Sequence, residues 1–367
     1  MGTIPLNDLS RIDQNSLTAA IEVVTKVISS GHYMKGQHTS DLESQISHLT
    51  QGCGAVTVAN GTDALMLAML GLGVQPGDFV ATAPNAGGYA TTAAIRIGAV
   101  PVLVDIDGLT AQMSPDSLTQ VLSTTKSIKV VVVTHLYGLM ADVKAIRSIC
   151  DQFGVLLIED CAQAFGAKLQ GQHVGSWGEA ATFSFYPTKN LGAFGDGGAI
   201  SFKDETHLGR ARQLSQYGWS NRYEVSLIGG VNSRIDEIQA AVLILRLEGL
   251  NEDNEKRREI VARYQSALTN NRRMIYANDD SFVGHLAIII TTSRDADSEH
   301  LNKSGIGTGI HYPILDNHQP AWKSIFAGQV VPVAEMIVGQ ILTLPCFPML
   351  TDLEIEQVCK TLHTLPD

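Results

Sequence analysis

The sequence has few cysteines, no leader-like pattern in its first residues and no long apolar run, so it lacks features expected of secreted and membrane proteins. Its 367 residues include only 5 cysteines, which are odd in number, widely spaced and free of any C-x-x-C pair. This pattern suggests neither a disulfide framework nor a zinc site, and no metal site is predicted. Apolar runs such as residues 286–290 are far too short to span a bilayer. The first residues have neither a basic segment nor an apolar core, so we expect a cytoplasmic protein.

The sequence also lacks two common glycine fingerprints and any excess of positive charge. No G-x-x-x-x-G-K-[ST] occurs and no G-x-G-x-x-G follows a predicted strand, which argues against a nucleoside-triphosphate site and a nicotinamide-dependent reductase. Lys and Arg number 26 against 37 Asp and Glu, a net charge of −11. Such an acidic chain is not expected to bind nucleic acid or an anionic membrane surface.

The most informative stretch is residues 181–199, ATFSFYPTKNLGAFGDGGA. An apolar strand is predicted over residues 181–185, and Pro187 ends it because proline has no N–H for a sheet ladder. Lys189 follows at once, and glycines then turn the chain tightly behind it. A lysine held at such a junction can be desolvated, which lowers its pKa and makes its amine a nucleophile toward carbonyl groups.

A carboxylate lies upstream of this lysine, at the end of a second apolar run. Residues 155–160, VLLIED, predict a buried parallel strand with Asp160 at its carboxyl end. Ligands of open α/β sheets bind at that edge. A carboxylate there can pair with a pyridinium nitrogen, and a lysine can form a Schiff base with the aldehyde of the same cofactor.

Strands and helices alternate along the first part of the chain. Helical patterns separate apolar runs at residues 55–59, 79–83, 100–104 and 129–133, which predicts a largely parallel α/β sheet. The segment Asn60-Gly61-Thr62-Asp63 lies between a strand and a helix, so the free N–H groups of the helix start offer a phosphate site. His135 ends another strand and could be structural or could approach a cofactor.

The composition changes near residue 250, where NEDNEKRRE predicts a charged, solvated helix segment and a hinge. We therefore predict a large domain at residues 1–250 and a small α+β domain at residues 251–367. One long helix is expected to follow Arg234 and to reach about Leu268. The remaining elements are predicted as strands at 285–291 and 309–312 and helices at 298–304 and 352–362.

Six segments, in order along the chain, resemble the DegT/DnrJ/StrS family of nucleotide-sugar aminotransferases, which use pyridoxal phosphate (PLP). They are VANGTDAL at 58–65, VVVTHLYG at 131–138, LIEDCAQAFGA at 157–167, FSFYPTKNLGAFGDGGA at 183–199, GGVNSRIDEIQAAVL at 229–243 and GIGTGIHYP at 305–313. The resemblance covers most of the chain. It implies the α/β fold type I of PLP-dependent transferases, like aspartate aminotransferase, with a mostly parallel seven-stranded sheet in the large domain.

The resemblance also implies roles for individual residues. Lys189 would hold PLP covalently and Asp160 would pair with its ring nitrogen. Further cofactor contacts are expected from Gly61, Thr62, Asp63, Tyr89, Gln163 and Ser184. Asn232 would reach the PLP phosphate of the neighbouring subunit, which implies a homodimer with shared active sites. Substrate contacts are expected from Tyr33, Tyr186, Tyr217, Arg222, Arg234, His311 and Tyr312.

The reaction that the resemblance implies is transfer of an amino group from glutamate to a nucleotide-linked keto-sugar, with PLP and pyridoxamine phosphate alternating. GIGTGIHYP and KNLGAFGDGGA favour C-3 of a dTDP-linked keto-6-deoxyhexose, made for a bacterial polysaccharide or glycan such as the O-antigen of lipopolysaccharide. Residues 314–322, ILDNHQPAW, depart from the proline-rich sequence of C-3 enzymes, so C-4 amination of a dTDP- or UDP-4-keto-6-deoxysugar stays open. A family dehydratase, in which histidine replaces the lysine, and a regulatory protein of the same fold are further alternatives. Lys189 argues against the dehydratase.

Overall fold

The computed structural model describes residues 3–269 and 271–366. Within them the strands are β1 (Gly54–Val58), β2 (Phe79–Thr82), β3 (Val100–Leu103), β4 (Ile128–Thr134), β5 (Leu156–Asp160), β6 (Lys168–Leu169), β7 (Gln172–His173), β8 (Ala180–Ser184), β9 (Gly198–Phe202), β10 (Trp219–Asn221), β11 (Glu224–Val225), β12 (Arg273–Ile275), β13 (Ala287–Ile290) and β14 (Ile341–Leu344). The α-helices are α1 (Gln14–Ser30), α2 (Gln37–Thr50), α3 (Gly61–Gly71), α4 (Tyr89–Arg96), α5 (Pro115–Thr124), α6 (Val143–Phe153), α7 (Glu205–Leu214), α8 (Glu237–Leu247), α9 (Leu250–Ala267), α10 (Arg294–Lys303), α11 (Pro332–Val338) and α12 (Asp352–His363).

A seven-stranded sheet forms the centre of the fold, in the order β1-β9-β8-β5-β4-β2-β3. The β3-β2-β4-β5-β8 strands run parallel to their neighbours, and β9 runs antiparallel to both β8 and β1. The predicted mostly parallel seven-stranded sheet is therefore confirmed. Because β4, β5 and β8 are parallel neighbours, their carboxyl ends meet at one edge of the sheet.

Both faces of this sheet are covered, which explains why its strands are apolar runs rather than alternating ones. In β4, Val130 and Val132 join the cluster on one face with α3 and α4. Val131 and Val133 join the larger cluster on the opposite face with α6. Each of these four valines is 0% exposed. The sheet is thus a rigid platform for side chains at its edge.

The C-terminal part is built on a small antiparallel sheet in the order β12-β13-β14. Helices α9 and α12 pack against each other beside it. Helix α9 begins at Leu250, where the division between two domains is predicted; that division stays a prediction. Across residues 3–269 and 271–366, no helix combines the length and apolar character needed to cross a bilayer.

Two predictions of secondary structure are wrong. The single long helix before Leu268 is two helices, α8 and α9, which are separated at Gly249. Glycine is a poor helix former, and here it stands at the start of α9 rather than inside a helix. The strand predicted at residues 309–312 is reduced to one bridge between Gly309 and Thr343, and the His311 carbonyl oxygen accepts from the Tyr137 hydroxyl rather than from a strand.

Candidate active site

A cavity of about 760 Å³ opens at the edge where the parallel strands end. The residues that line it come from the start of α3, the ends of β5 and β8, and the segments around residues 285 and 311. Ten residues predicted from the sequence lie on its wall: Gly61, Thr62, Asp63, Tyr89, Asp160, Ser184, Tyr186, Lys189, His311 and Tyr312. Segments distant in sequence are thus brought to one site.

Lys189 lies in a tight loop directly after β8. Its backbone N–H donates to the carbonyl oxygen of Tyr186 at 2.8 Å. A Cβ on Gly192 would lie 2.5 Å from the carbonyl oxygen of Pro187, so only glycine allows the loop to fold this closely. Burial lowers the pKa of Lys189 to about 8, against the opposing effect of Asp160. Roughly a tenth of the amine is therefore unprotonated at pH 7, far more than for an ordinary lysine.

Asp160 ends β5 and is 4% exposed. Its Oδ2 accepts from the Thr134 hydroxyl at 3.1 Å, and its Oδ1 accepts from the Ala162 amide at 3.1 Å. Burial raises the pKa of Asp160, and the Ala162 amide and the Lys189 ammonium lower it in part. A cationic ring nitrogen beside this carboxylate would favour its ionised form, so the position suits a pyridinium group.

The start of α3 suits a phosphate. The Asn60 side chain accepts from the Asp63 amide at 2.8 Å. Within the described residues, this leaves the N–H groups of Gly61 and Thr62 without a partner. A Cβ on Gly61 would lie 2.7 Å from the Cβ of Ser184, so this glycine brings the helix start against that serine. Free amides, a helix dipole and a hydroxyl together suit the phosphate of PLP.

Both oxygens of the Asp63 carboxylate are hydrogen-bonded, so Asp63 does not present an unpaired negative charge to this phosphate site. One of its oxygens accepts from the Ser233 hydroxyl at 2.8 Å and the other from Arg96 Nη1 at 3.2 Å. The same Ser233 hydroxyl accepts from the Ala59 amide at 3.0 Å. Asp63 therefore fastens α3 to the segment around Ser233, and its predicted role as a cofactor contact stays a prediction.

Two tyrosines form the wall beside Asp160, and a glutamine outside the lining supports one of them. The rings of Tyr89 and Tyr312 meet edge to face, with centroids 6.1 Å apart. Gln163 Nε2 donates to the Tyr312 hydroxyl at 3.2 Å, and its Oε1 accepts from the Tyr137 amide at 2.7 Å. Gln163 is buried and fixed at both ends, so it holds Tyr312 in place at this wall.

Apart from Gln163, which lies behind Tyr312, five predicted residues are not part of the cavity lining in the described chain: Tyr33, Tyr217, Arg222, Asn232 and Arg234. Tyr33, Tyr217 and Arg222 are exposed, and Arg222 stacks over the ring of Tyr223 at 4.9 Å. The β10-β11 hairpin and the residues after it carry Ile228, which is 98% exposed. One chain alone does not bring these residues to the site.

Several cavity residues were missed by the sequence analysis: Arg96, Asp196, His285 and Thr343. His285 and Thr343 are polar residues beside or within apolar strands, and this contrast was a usable signal. Arg96 ends α4 as an ordinary surface-type arginine, and nothing local in the sequence marks it.

The open question about His135 is answered by its hydrogen bonds. Its Nδ1 accepts from the Ala141 amide at 3.1 Å, so the ring proton is on Nε2. This Nε2–H donates to Glu159 Oε2 at 3.0 Å. Glu159 also accepts from the amides of Gly175, Trp177 and Gly178. Although His135, Glu159 and Cys161 are close together, these bonds give the pair a structural role behind Asp160.

The site combines a desolvated lysine after one strand with a buried aspartate at the end of the neighbouring strand. In an open α/β sheet, this arrangement defines a fold type I PLP-dependent transferase. The chain belongs to the DegT/DnrJ/EryC1/StrS aminotransferase family, whose sequence model matches residues 15–363. The family predicted from the sequence is confirmed, and the chain is a PLP-dependent sugar aminotransferase.

Three comparisons illustrate the relationship. A dTDP-3-amino-3,6-dideoxy-alpha-D-galactopyranose transaminase from Aneurinibacillus thermoaerophilus is 37% identical, with 98% of this chain and 99% of the relative covered. The erythromycin biosynthesis sensory transduction protein EryC1 from Saccharopolyspora erythraea is 36% identical, with 98% of each covered. The crystal structure of NtdA from Bacillus subtilis, with bound pyridoxamine phosphate, has a TM-score of 0.93 at 28% identity and covers 100% of this chain and 85% of its own.

Proposed function

We propose that this enzyme transfers an amino group from glutamate to C-3 of a dTDP-linked keto-6-deoxyhexose. The observation that carries the chemistry is the pairing of Lys189, whose pKa is lowered by burial, with the buried carboxylate of Asp160 in one cavity. The Aneurinibacillus relative is a dTDP-3-amino-3,6-dideoxy-alpha-D-galactopyranose transaminase, which supports the substrate class and the position.

Different residues would hold the cofactor, move the proton and bind the phosphate. When bound, PLP supplies an aldehyde that takes up the amino group and a ring that accepts negative charge from the substrate carbon. Lys189 would hold the cofactor and, once released, would take a proton from the substrate carbon and return it through its Nζ. Asp160 would keep the ring nitrogen protonated, and the amides of Gly61 and Thr62 with the Ser184 hydroxyl would hold the phosphate.

Fixed polar groups lie around His311, in the part of the cavity that we assign to the sugar. His311 Nδ1 and the Thr343 hydroxyl are 2.8 Å apart, and the Tyr137 hydroxyl donates to the His311 carbonyl oxygen at 2.8 Å. Tyr186 and Tyr312 also line the cavity. A site that pairs hydroxyl groups rejects a sugar with a misplaced hydroxyl, because its own polar groups are then left unpaired.

A competition assay tests the position of amination. TDP-3-keto- and TDP-4-keto-6-deoxyglucose are supplied at equal concentration with glutamate, and products are identified by mass spectrometry and NMR. We expect a 3-amino product from wild type and no product from Lys189→Ala, which serves as the control. A 4-amino product would replace C-3 by C-4 and leave the chemistry unchanged. Absence of any turnover across dTDP- and UDP-keto-sugars would favour the regulatory alternative.

We further propose a cytoplasmic homodimer that serves polysaccharide synthesis such as that of an O-antigen. All five cysteines are free, as a reducing compartment requires. Asn232 is one of the residues left outside the cavity of its own chain. In this proposal the exposed β10-β11 hairpin and Ile228, which follows it, contact a second subunit. In this proposal Asn232 contacts the phosphate held by its partner.

Mixing two inactive variants tests this sharing directly. Lys189→Ala removes the amine, and Asn232→Asp places a carboxylate against the phosphate, so each homodimer is expected to be nearly inactive. If Asn232 acts across the interface, a mixed dimer has one doubly defective site and one intact site. Refolding the two variants together in equal amounts should then restore about a quarter of wild-type activity. No recovery, with mixed dimers verified by mass, would show that Asn232 acts within its own subunit.

A further inference from the structure

His285 lies on the cavity wall, although nothing in the predicted chemistry uses it. It lies two residues before the start of β13 and is 7% exposed. Its Nδ1 is 2.8 Å from Asn190 Oδ1, and Asn190 follows Lys189 in the chain. Its Nε2 has no hydrogen-bond partner among residues 3–269 and 271–366. One ring nitrogen is thus tied to the lysine loop, and the other is free for a partner in the cavity that His285 lines.

The direction of the Asn190 hydrogen bonds fixes the tautomer of His285. Asn190 Nδ2 donates to the Val283 carbonyl oxygen at 2.9 Å, and a carbonyl oxygen can only accept. The Oδ1 of Asn190 is therefore the atom that faces His285, and it can only accept as well. The Nδ1 of His285 must carry the proton, which leaves an unshared electron pair on Nε2.

A second asparagine holds this arrangement from behind. Asn254 is 2% exposed, and its Oδ1 accepts from Asn190 Nδ2 at 2.7 Å. Its Nδ2 donates to the Phe165 carbonyl oxygen at 3.1 Å. Every bond in this series runs the same way: His285 donates to Asn190, Asn190 donates to Asn254, and Asn254 donates to the Phe165 carbonyl oxygen. The imidazole cannot exchange its tautomer without breaking several of these bonds.

The charge state of His285 agrees with this geometry. Burial lowers the pKa of His285 well below its ordinary range, and the positive charges of Lys189 and Arg257 lower it further. The ring is neutral at physiological pH, so Nε2 accepts hydrogen bonds and donates none. Such an atom repels a carboxylate of glutamate and attracts an O–H group.

We propose that Nε2 of His285 accepts a hydrogen bond from a hydroxyl group of the bound sugar and thereby helps to select the keto-sugar. This inference rests on the proposed function, because it assigns a polar contact to the sugar-nucleotide substrate. His285 acts in the sugar half of the reaction and not in the glutamate half.

Two amide variants separate the cavity contact from the bond to Asn190. His285→Asn places an amide N–H near the position of Nδ1, so it keeps the Asn190 bond and removes the Nε2 acceptor. His285→Gln places an amide oxygen near the position of Nε2, so it keeps an acceptor and loses the Asn190 bond. Thermal unfolding identifies any variant that fails to fold.

We expect His285→Asn to lower kcat/KM for the keto-sugar by about 10- to 100-fold, mainly through KM. The glutamate half-reaction, followed by the cofactor absorbance, should stay within about twofold of wild type. His285→Gln should lose less in the sugar half-reaction. Substrate analogues that each lack a single ring hydroxyl are then compared. With one of them, wild type should show the same loss of kcat/KM that His285→Asn shows with the complete keto-sugar, and His285→Asn should show no further loss.

Nitrogen-15 NMR of histidine-labelled protein and calorimetric binding of the amino-sugar product give readouts independent of turnover. The His285 signal, assigned by its loss in the variants, should show a protonated Nδ1 and should change at Nε2 when the sugar nucleotide binds. Equal losses in both half-reactions, or a normal His285→Asn beside a defective His285→Gln, would overturn the proposal. A wild-type enzyme that turns over glutamate but aminates no keto-sugar would instead refute the proposed function, and this inference with it.

Discussion

Replacing Lys189 with alanine is expected to slow amination by about 10⁴-fold or more, because one amine has two tasks. It would hold the cofactor covalently and would move the proton at the substrate carbon. Burial lowers the pKa of Lys189 to about 8, so the amine is available for both tasks near neutral pH. Arginine at this position would keep a positive charge but could do neither, so Lys189→Arg should be as inactive as Lys189→Ala.

Covalent attachment is measured by reducing the holoenzyme with borohydride and mapping its peptides. The phosphopyridoxyl group should be found on Lys189. Lys203 is an internal control, since burial also lowers its pKa. Its Nζ donates to the carbonyl oxygens of Thr50 and Gln51 at 2.7 and 3.0 Å, so it should stay unlabelled. Labelling at any lysine other than Lys189 would remove the basis of the assignment.

The sequence was a good guide wherever the signal was local. Lys189 and Asp160 could be placed at one edge because each follows an apolar run, and parallel strands end together. The helix start at Gly61 could be recognised for the same reason. These three features depend on a few neighbouring residues each, and the structure brings them to one cavity.

Features that depend on distant partners were harder to predict. Strands β12 and β14 are short, and each is defined by its pairing with β13 across many residues. The structural role of His135 depends on Glu159, on the Ala141 amide and on three amides from a later loop, which no pattern around His135 reveals. Asn232 lies outside the cavity of its own chain, so its predicted role depends on the proposed second subunit.

The neighbouring carboxylates Glu159 and Asp160 form a matched pair with different expected roles. Both oxygens of Glu159 face N–H groups that can only donate: the amides of Trp177 and Gly178 at one oxygen, and the Gly175 amide with His135 Nε2 at the other. Glu159→Gln would point an amide N–H₂ group at two of these donors. We expect it to lower the free energy of unfolding by about 2–4 kcal/mol, and it is the structural control for Asp160.

Asp160→Asn is expected to keep the fold and to lower turnover by about 10³-fold. The asparagine Oδ1 can still accept from the Ala162 amide, and its Nδ2 can donate to the Thr134 hydroxyl, because a hydroxyl can accept as well as donate. The substitution also removes a carboxylate whose pKa burial raises, so the free energy of unfolding should not fall. What is lost is the negative charge that keeps the ring nitrogen of the cofactor protonated.

Urea unfolding and steady-state kinetics of the two variants, both loaded with PLP, separate these roles. Asp160→Asn should unfold at the wild-type urea concentration and turn over poorly, whereas Glu159→Gln should unfold early and keep most of its activity while folded. The pH dependence adds a further check: without the carboxylate, the ring nitrogen should lose its proton at a lower pH, so residual activity should rise as the pH falls. An Asp160→Asn enzyme with near-wild-type turnover would show that this carboxylate is not the partner of the ring nitrogen.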